Sequence, residues 1–187
     1  MNKGTGALLA VVGIIVVLII FFVGGYNSLV SKQTAVEEQA ANIDTQLQRR
    51  ADLIPNLVKT VKSFAEHETA VFDEVTKARE KLMSAGTMAE KSEANEEVTS
   101  ALNKLVAIAE SYPELKSDTV YVDLMDELAG TENRISYARQ NYNAAAASYN
   151  KAIRMFPGAL FAGMFGFEKA ELFEAAEGAE KVPDVDL

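Results

Sequence analysis

The chain has 187 residues with no cysteine, one histidine, no tryptophan, four prolines and a net charge of −9. That composition excludes disulfides, a thiol nucleophile and lipid attachment through cysteine, and a single histidine leaves little material for a metal centre or a serine-type triad. Basic side chains number 18 against 27 acidic ones, and Lys3 is the only charge in the first 25 residues, so the acidic excess lies in the remainder and argues against nucleic-acid binding.

The first element is "ALLAVVGIIVVLIIFFV", residues 7–23, followed by Gly24 and Gly25. With its flanks it reaches the ~20 residues that cross a hydrocarbon core. A signal peptide is the rival reading, but its apolar core runs about 7–15 residues before an A-x-A-like site. This stretch is longer and lacks such a site, so residues 1–25 are predicted to be a retained single transmembrane anchor. Phe21, Phe22 and Tyr26 stand where an interfacial aromatic belt belongs. Gly6 and Ala10 form a small-xxx-small pair suited to packing two anchors together. Lys3 on one side and Lys32 on the other leave the orientation open.

Beyond the anchor the sequence reads as helix. Tyr26, Leu29, Gln33, Val36, Ala40, Ile43, Leu47 and Arg50 recur at alternating spacings of three and four, and Ile54, Leu57, Val61, Phe64, Glu68, Val71, Val75, Ala78 and Leu82 continue the phase. Gly86 interrupts it. A third stripe runs through Ala94, Val98, Ala101, Leu105, Ile108 and Tyr112 and stops at "YPELKSD", because proline cannot extend a helix. The fourth, Tyr121, Leu124, Leu128, Thr131, Ile135, Ala138, Tyr142, Ala145, Tyr149, Ala152 and Phe156, ends at Pro157-Gly158. Sustained periodicity of this kind means helices packed along a narrow apolar seam.

Pro55 lies inside the first of these runs. One helix from Tyr26 to Leu82 would be roughly 85 Å long, with an interior proline costing about 3 kcal/mol. A turn at Arg50–Asp52 makes Asp52 an N-cap and puts Pro55 in a first turn, where its missing N–H has no partner to lose. The fold expected is therefore all-α: an N-terminal single transmembrane helix followed by an up-and-down four-helix bundle of long helices over residues 26–156. A kinked continuous helix is the alternative. Residues 157–187 form a membrane-proximal aromatic and glycine segment with an acidic, loose tail. Either topology brings the fourth helix back towards the membrane.

The segments "YNSLV", "LQRRADLIPNLVKTV", "HE", "YPELK", "LMDELAGTENRISYARQNYNAAAASYNKAIRMFP" and "FGF" occur in this order, and on them the chain resembles the LemA family from Tyr26 to about Phe173. The resemblance implies a single-pass protein of the bacterial cell (inner) membrane carrying a four-helix bundle, with no known enzymatic activity. A relative in that family serves in magnetosome membrane formation, and members are linked to membrane stress and envelope proteolysis. "NAAAASYN" departs from the family pattern by its run of alanines.

Several residues stand out. Arg50 and Glu68 occupy seam positions, where a charge must be paired or must snorkel out. Folding the register onto the fourth helix sets Arg50 near Asp123 and Asp126, and pairs Glu68 with Arg134, with Arg139 as a further partner. The Tyr-Asn pairs Tyr142-Asn143 and Tyr149-Asn150 share a face; the tyrosines form a polar-headed core layer or a recognition surface, and the asparagines are placed to donate to a neighbouring helix. His67 between Glu66 and Glu68 fits neither the di-iron nor the zinc-protease pattern, and no metal or other cofactor is expected. Phe156, Leu160, Phe161, Met164, Phe165, Phe167 and Phe173 form an apolar cluster that caps the bundle, meets the bilayer interface or meets a partner. The function expected is that of a non-catalytic scaffold or adaptor at the membrane, binding other membrane proteins and able to form a homo-oligomer. The alternative is a membrane-remodelling protein of the lipid interface.

Overall fold

Six helices carry the backbone in the computed structural model, which describes residues 3–173, with side chains at Leu9 and from Val11 onward. They are α1 (Lys3–Lys62), α2 (Thr69–Ser84), α3 (Met88–Ala109), α4 (Pro113–Lys116), α5 (Thr119–Ala152) and α6 (Gly158–Phe165), and no strand occurs among the described residues. The side chains of Lys3, Gly6 and Ala10 and the acidic tail after Phe173 lie outside the described residues. The helices contribute to two units, one drawn from Met1–Glu38 and Ala144–Ala170, the other from Gln39–Asn143 and Glu171–Leu187.

The second unit shows why the helix does not turn at Arg50–Asp52. The chain is helical without interruption from Lys3 to Lys62, with Pro55 inside it. Asp52 is no N-cap: it is exposed, in mid-helix, and accepts from Gln48 Nε2 at 2.8 Å. An interior proline orphans the carbonyl four residues back, here that of Ala51, which is fully buried. Arg79 on α2 supplies the missing donor, its Nε reaching the Ala51 oxygen at 2.7 Å. A tertiary, charge-assisted hydrogen bond replaces the lost helical one, so the helix runs on and the turn falls at 63–68 instead.

Around α1 the seam residues Ile43, Leu47, Ile54, Leu57 and Val61 are buried, with Phe72, Val75, Ala78 and Leu82 from α2, Ala94, Val98, Ala101 and Leu105 from α3, and Tyr121, Leu128, Thr131, Ile135, Ala138 and Tyr142 from α5. Polar ties cross between helices at the rim. Lys91 of α3 meets Asp44 of α1 at 2.5 Å, Lys81 of α2 meets Glu93 and Glu97 of α3 at 2.7 Å, and Arg49 of α1 pairs with Glu127 of α5. The α2–α3 turn is closed by a capping box: Thr87 Oγ1 accepts from the Glu90 N–H at 3.2 Å, while Glu90 Oε2 accepts from the N–H groups of Thr87 and Gly86 at 3.0 and 2.8 Å. Asp118 begins α5 in the same manner, accepting from the Tyr121 N–H at 2.9 Å.

In the first unit Leu29 and Val36 of α1 and Ala146 and Tyr149 of α5 are buried, and Lys32 Nζ donates to Ser148 Oγ at 3.1 Å. After α5 the backbone folds back so tightly that a Cβ at Gly158 would run into the Ala152 carbonyl oxygen. Phe156, placed by periodicity at the end of the seam, is 82% exposed instead, because α5 ends at Ala152 and the helical phase stops there.

Candidate functional site

α6 is the most apolar element outside the N-terminal stretch, and one residue seats it. Phe161 is fully buried, its ring 5.7 Å from that of Phe21 and 5.4 Å from that of Phe22. Gly25 makes room for it, since a Cβ there would collide with the Phe161 ring. Phe165 at the end of the helix and Phe167 just beyond it bracket Tyr26, with ring centroids 4.9 and 5.8 Å away. Gly166, at φ 72°, ends α6 in the left-handed conformation that glycine tolerates best. Of the residues predicted to touch a membrane or partner, Phe161 is therefore buried within the chain, because the last turn of the apolar stretch already covers it. Phe156, Met164 and Phe165 are exposed, and Phe167 is half-buried.

Tyr142 and the asparagines of the two Tyr-Asn pairs of α5 hold the non-helical segment after α6, not a neighbouring helix. In the first unit Asn150 Nδ2 donates to the Ala170 carbonyl and Asn150 Oδ1 accepts from the Ala170 N–H, both at 2.8 Å. In the second, Asn143 makes the same reciprocal pair with Phe173 at 2.9 Å, Tyr142 Oη donates to the Glu171 carbonyl at 2.7 Å, and the Phe173 ring is buried. A carboxamide matches a peptide group donor to acceptor and acceptor to donor, which explains asparagine at both positions. Burial raises the phenol pKa of Tyr142, with Glu171 adding to it, and that of Tyr149, with Glu168 and Glu37 adding to it.

Arg50 lies on the seam, 4% exposed. Its partners are Asn95 Oδ1 (2.6 Å) and Thr99 Oγ1 (3.0 Å) on α3 and Glu132 Oε2 (2.6 Å) on α5, in place of the expected Asp123 and Asp126. Burial lowers the guanidinium pKa from its ordinary value, and Glu132 opposes that shift. The predicted Glu68–Arg134 pair does not form. With the turn displaced to 63–68, Glu68 sits just ahead of α2, and Arg134 meets Glu127 on its own helix at 3.2 Å. Arg139 is half-buried and makes no ion pair among the described residues. Periodicity marked Arg50 but not Asn95 or Thr99, since polar residues on a helix carry no seam signal until their partner is known.

A groove of about 370 Å³ between α1 and α5 in the second unit is lined by Gln39, Asn42, Gln46, Asn133, Arg134, Tyr137, Ala138 and Asn141. Tyr137 is 67% exposed above it, and Gln46 Oε1 is buried with no hydrogen-bond partner. A larger depression between α2 and α3 holds Glu74 and Glu97, but Lys104 and Lys81 neutralise them. Among the described residues no group of histidine, aspartate or glutamate side chains is arranged to hold a metal ion.

Comparison with known proteins adds a family. The sequence profile of the LemA family matches residues 39–187. Over 201 residues the chain is 28% identical to magnetosome protein MamQ 2 of Paramagnetospirillum magneticum, covering 91% of this chain and 74% of that one. It is 29% identical to magnetosome protein MamQ of Magnetospirillum gryphiswaldense, covering 79% and 64%. It is 25% identical to protein LemA of Metamycoplasma hominis, covering 88% and 75%.

Proposed function

Since this chain belongs to the LemA family, we propose that it is a membrane-anchored, non-catalytic scaffold or adaptor whose helices form an up-and-down four-helix bundle. The anchor is the exposed apolar stretch of α1, long and apolar enough to cross a membrane. The bacterial inner membrane is its location. The bundle is the set of four helical segments of the second unit, α1 from Gln39, α2, α3 and α5 to Asn143.

The amide-lined groove under Tyr137 supports the adaptor reading. Its side chains donate and accept hydrogen bonds but, Arg134 apart, carry no charge, which suits peptide groups of a partner better than a reacting substrate. Tyrosine is a frequent anchor of such interfaces. In-cell photo-crosslinking from position 137 tests it. A reproducible product with an identified membrane protein or a second copy, lost on Asn141→Ala, is the expected result. No product above that from an exposed control position such as Glu80 overturns the reading.

A second reading, action on the lipid interface itself, is favoured by the seat of α6 against Phe21 and Phe22, and by the relatives that are magnetosome proteins.

A further inference from the structure

Phe161 fixes where α6 lies along α1. It packs on Phe21, Phe22 and Gly25, the last turn of the apolar stretch and its glycine boundary. If that stretch crosses the bilayer, α6 lies at the boundary between acyl chains and headgroups. Phe156, Leu160, Met164 and Phe165 remain exposed on the unit, at 82%, 46%, 58% and 50%. No charged residue occurs from Phe156 to Phe167; the first are Glu168 and Lys169.

We infer that α6, with Phe156 just ahead of it, is a second membrane contact, inserted into the lipid interface beside the anchor through Phe156, Leu160, Met164 and Phe165. What covers this face is lipid, because Phe161 seats α6 against Phe21 and Phe22 of the apolar stretch, whose exposed side chains need the same solvent. The attraction is apolar and aromatic: with no basic residue in the helix, it does not depend on anionic headgroups. Phe161 is the pin that holds the helix to α1, and the other four residues face the acyl boundary. The inference rests on the anchored reading, so the test reads the two separately.

The chain contains no tryptophan, so a single one reports without background. The full chain is placed in phosphatidylcholine nanodiscs whose acyl chains carry bromine at shallow or deep positions. Phe165→Trp and Met164→Trp report on α6, and Ile15→Trp on the apolar stretch. Far-UV circular dichroism confirms helix content in each. The expected result is quenching of both α6 reporters by shallow bromine, within about 5–10 Å of the headgroup boundary, and of Ile15→Trp by deep bromine. If Ile15→Trp is quenched and neither α6 reporter is, the inference is overturned while the anchor stands. If none is quenched, the anchor reading falls and the inference with it. Emission at 165 that ignores bromine but shifts to the blue with protein concentration assigns the face to a second copy and also overturns the inference.

Discussion

Arg79 makes Pro55 tolerable in mid-helix by donating to the Ala51 carbonyl. Replacing Arg79 by Met leaves the buried Ala51 carbonyl without a donor, at a cost of about 1–3 kcal/mol. Pro55→Ala restores the helical N–H to that same carbonyl. In a double-mutant cycle by chemical denaturation, Arg79→Met is expected to cost clearly less in the Pro55→Ala background than in the parent; equal costs in both would remove the explanation. Arg50 gives a second expectation. Asn95→Leu takes an acceptor from a buried guanidinium and is expected to destabilise by about 1–3 kcal/mol, read as a shifted denaturation midpoint with an unchanged slope.

At the scale of elements, caps and clamps decide where each helix ends and how the next segment is held. Two backbone N–H groups hold the Glu90 carboxyl below its ordinary 4.5, with Thr87 the larger cause and Gly86 next. A carboxyl depressed in the folded state stabilises above its unfolded value and loses that contribution as pH falls through the folded one. The stability difference between parent and Glu90→Gln is therefore expected at neutral pH, to fade below about 4.5; a difference unchanged down to pH 3 would contradict the assignment. Asn143→Ala and Asn150→Ala each strip a carbonyl and an N–H of their partners, about 1–3 kcal/mol apiece, and are expected to speed proteolytic cleavage near Ala170 and Phe173. The helical seams were legible in the sequence, since Ile43, Leu47, Val98, Leu105, Leu128 and Ile135 lie where a period near 3.5 puts them. The turn was not. Phe64 and Glu68 kept the phase through 63–68 although the buried residue there is Ala65, and nothing in the sequence next to Pro55 announces a donor from 24 positions downstream. The Tyr-Asn repeat was visible but its partner was not, because a non-helical segment that offers its backbone has no side-chain pattern to match.

For the whole molecule, the exposed surface separates a part that water can solvate from a part it cannot. The side chains from Val11 to Ile20 are apolar apart from Gly13 and stand exposed. A charge placed there is opposed by about 2.5–3.5 kcal/mol at a helix centre. The double variant Val16→Lys, Ile19→Lys is expected to leave the membrane fraction under alkaline carbonate extraction while the parent stays. Retention of both would show that this stretch is not what holds the chain to the membrane.

The partners of Arg50 also impose an order on synthesis. Its acceptors at 95 and 99 are made 45 and 49 residues after it, and the carboxylate of Glu132 later still. At ~5–20 residues per second the wait from position 50 to position 132 lasts roughly 4–16 s. Until it ends, the chain offers the guanidinium only the neutral acceptors Asn95 and Thr99 of this set. Arg50 therefore has its full set of acceptors only once α5 has been made.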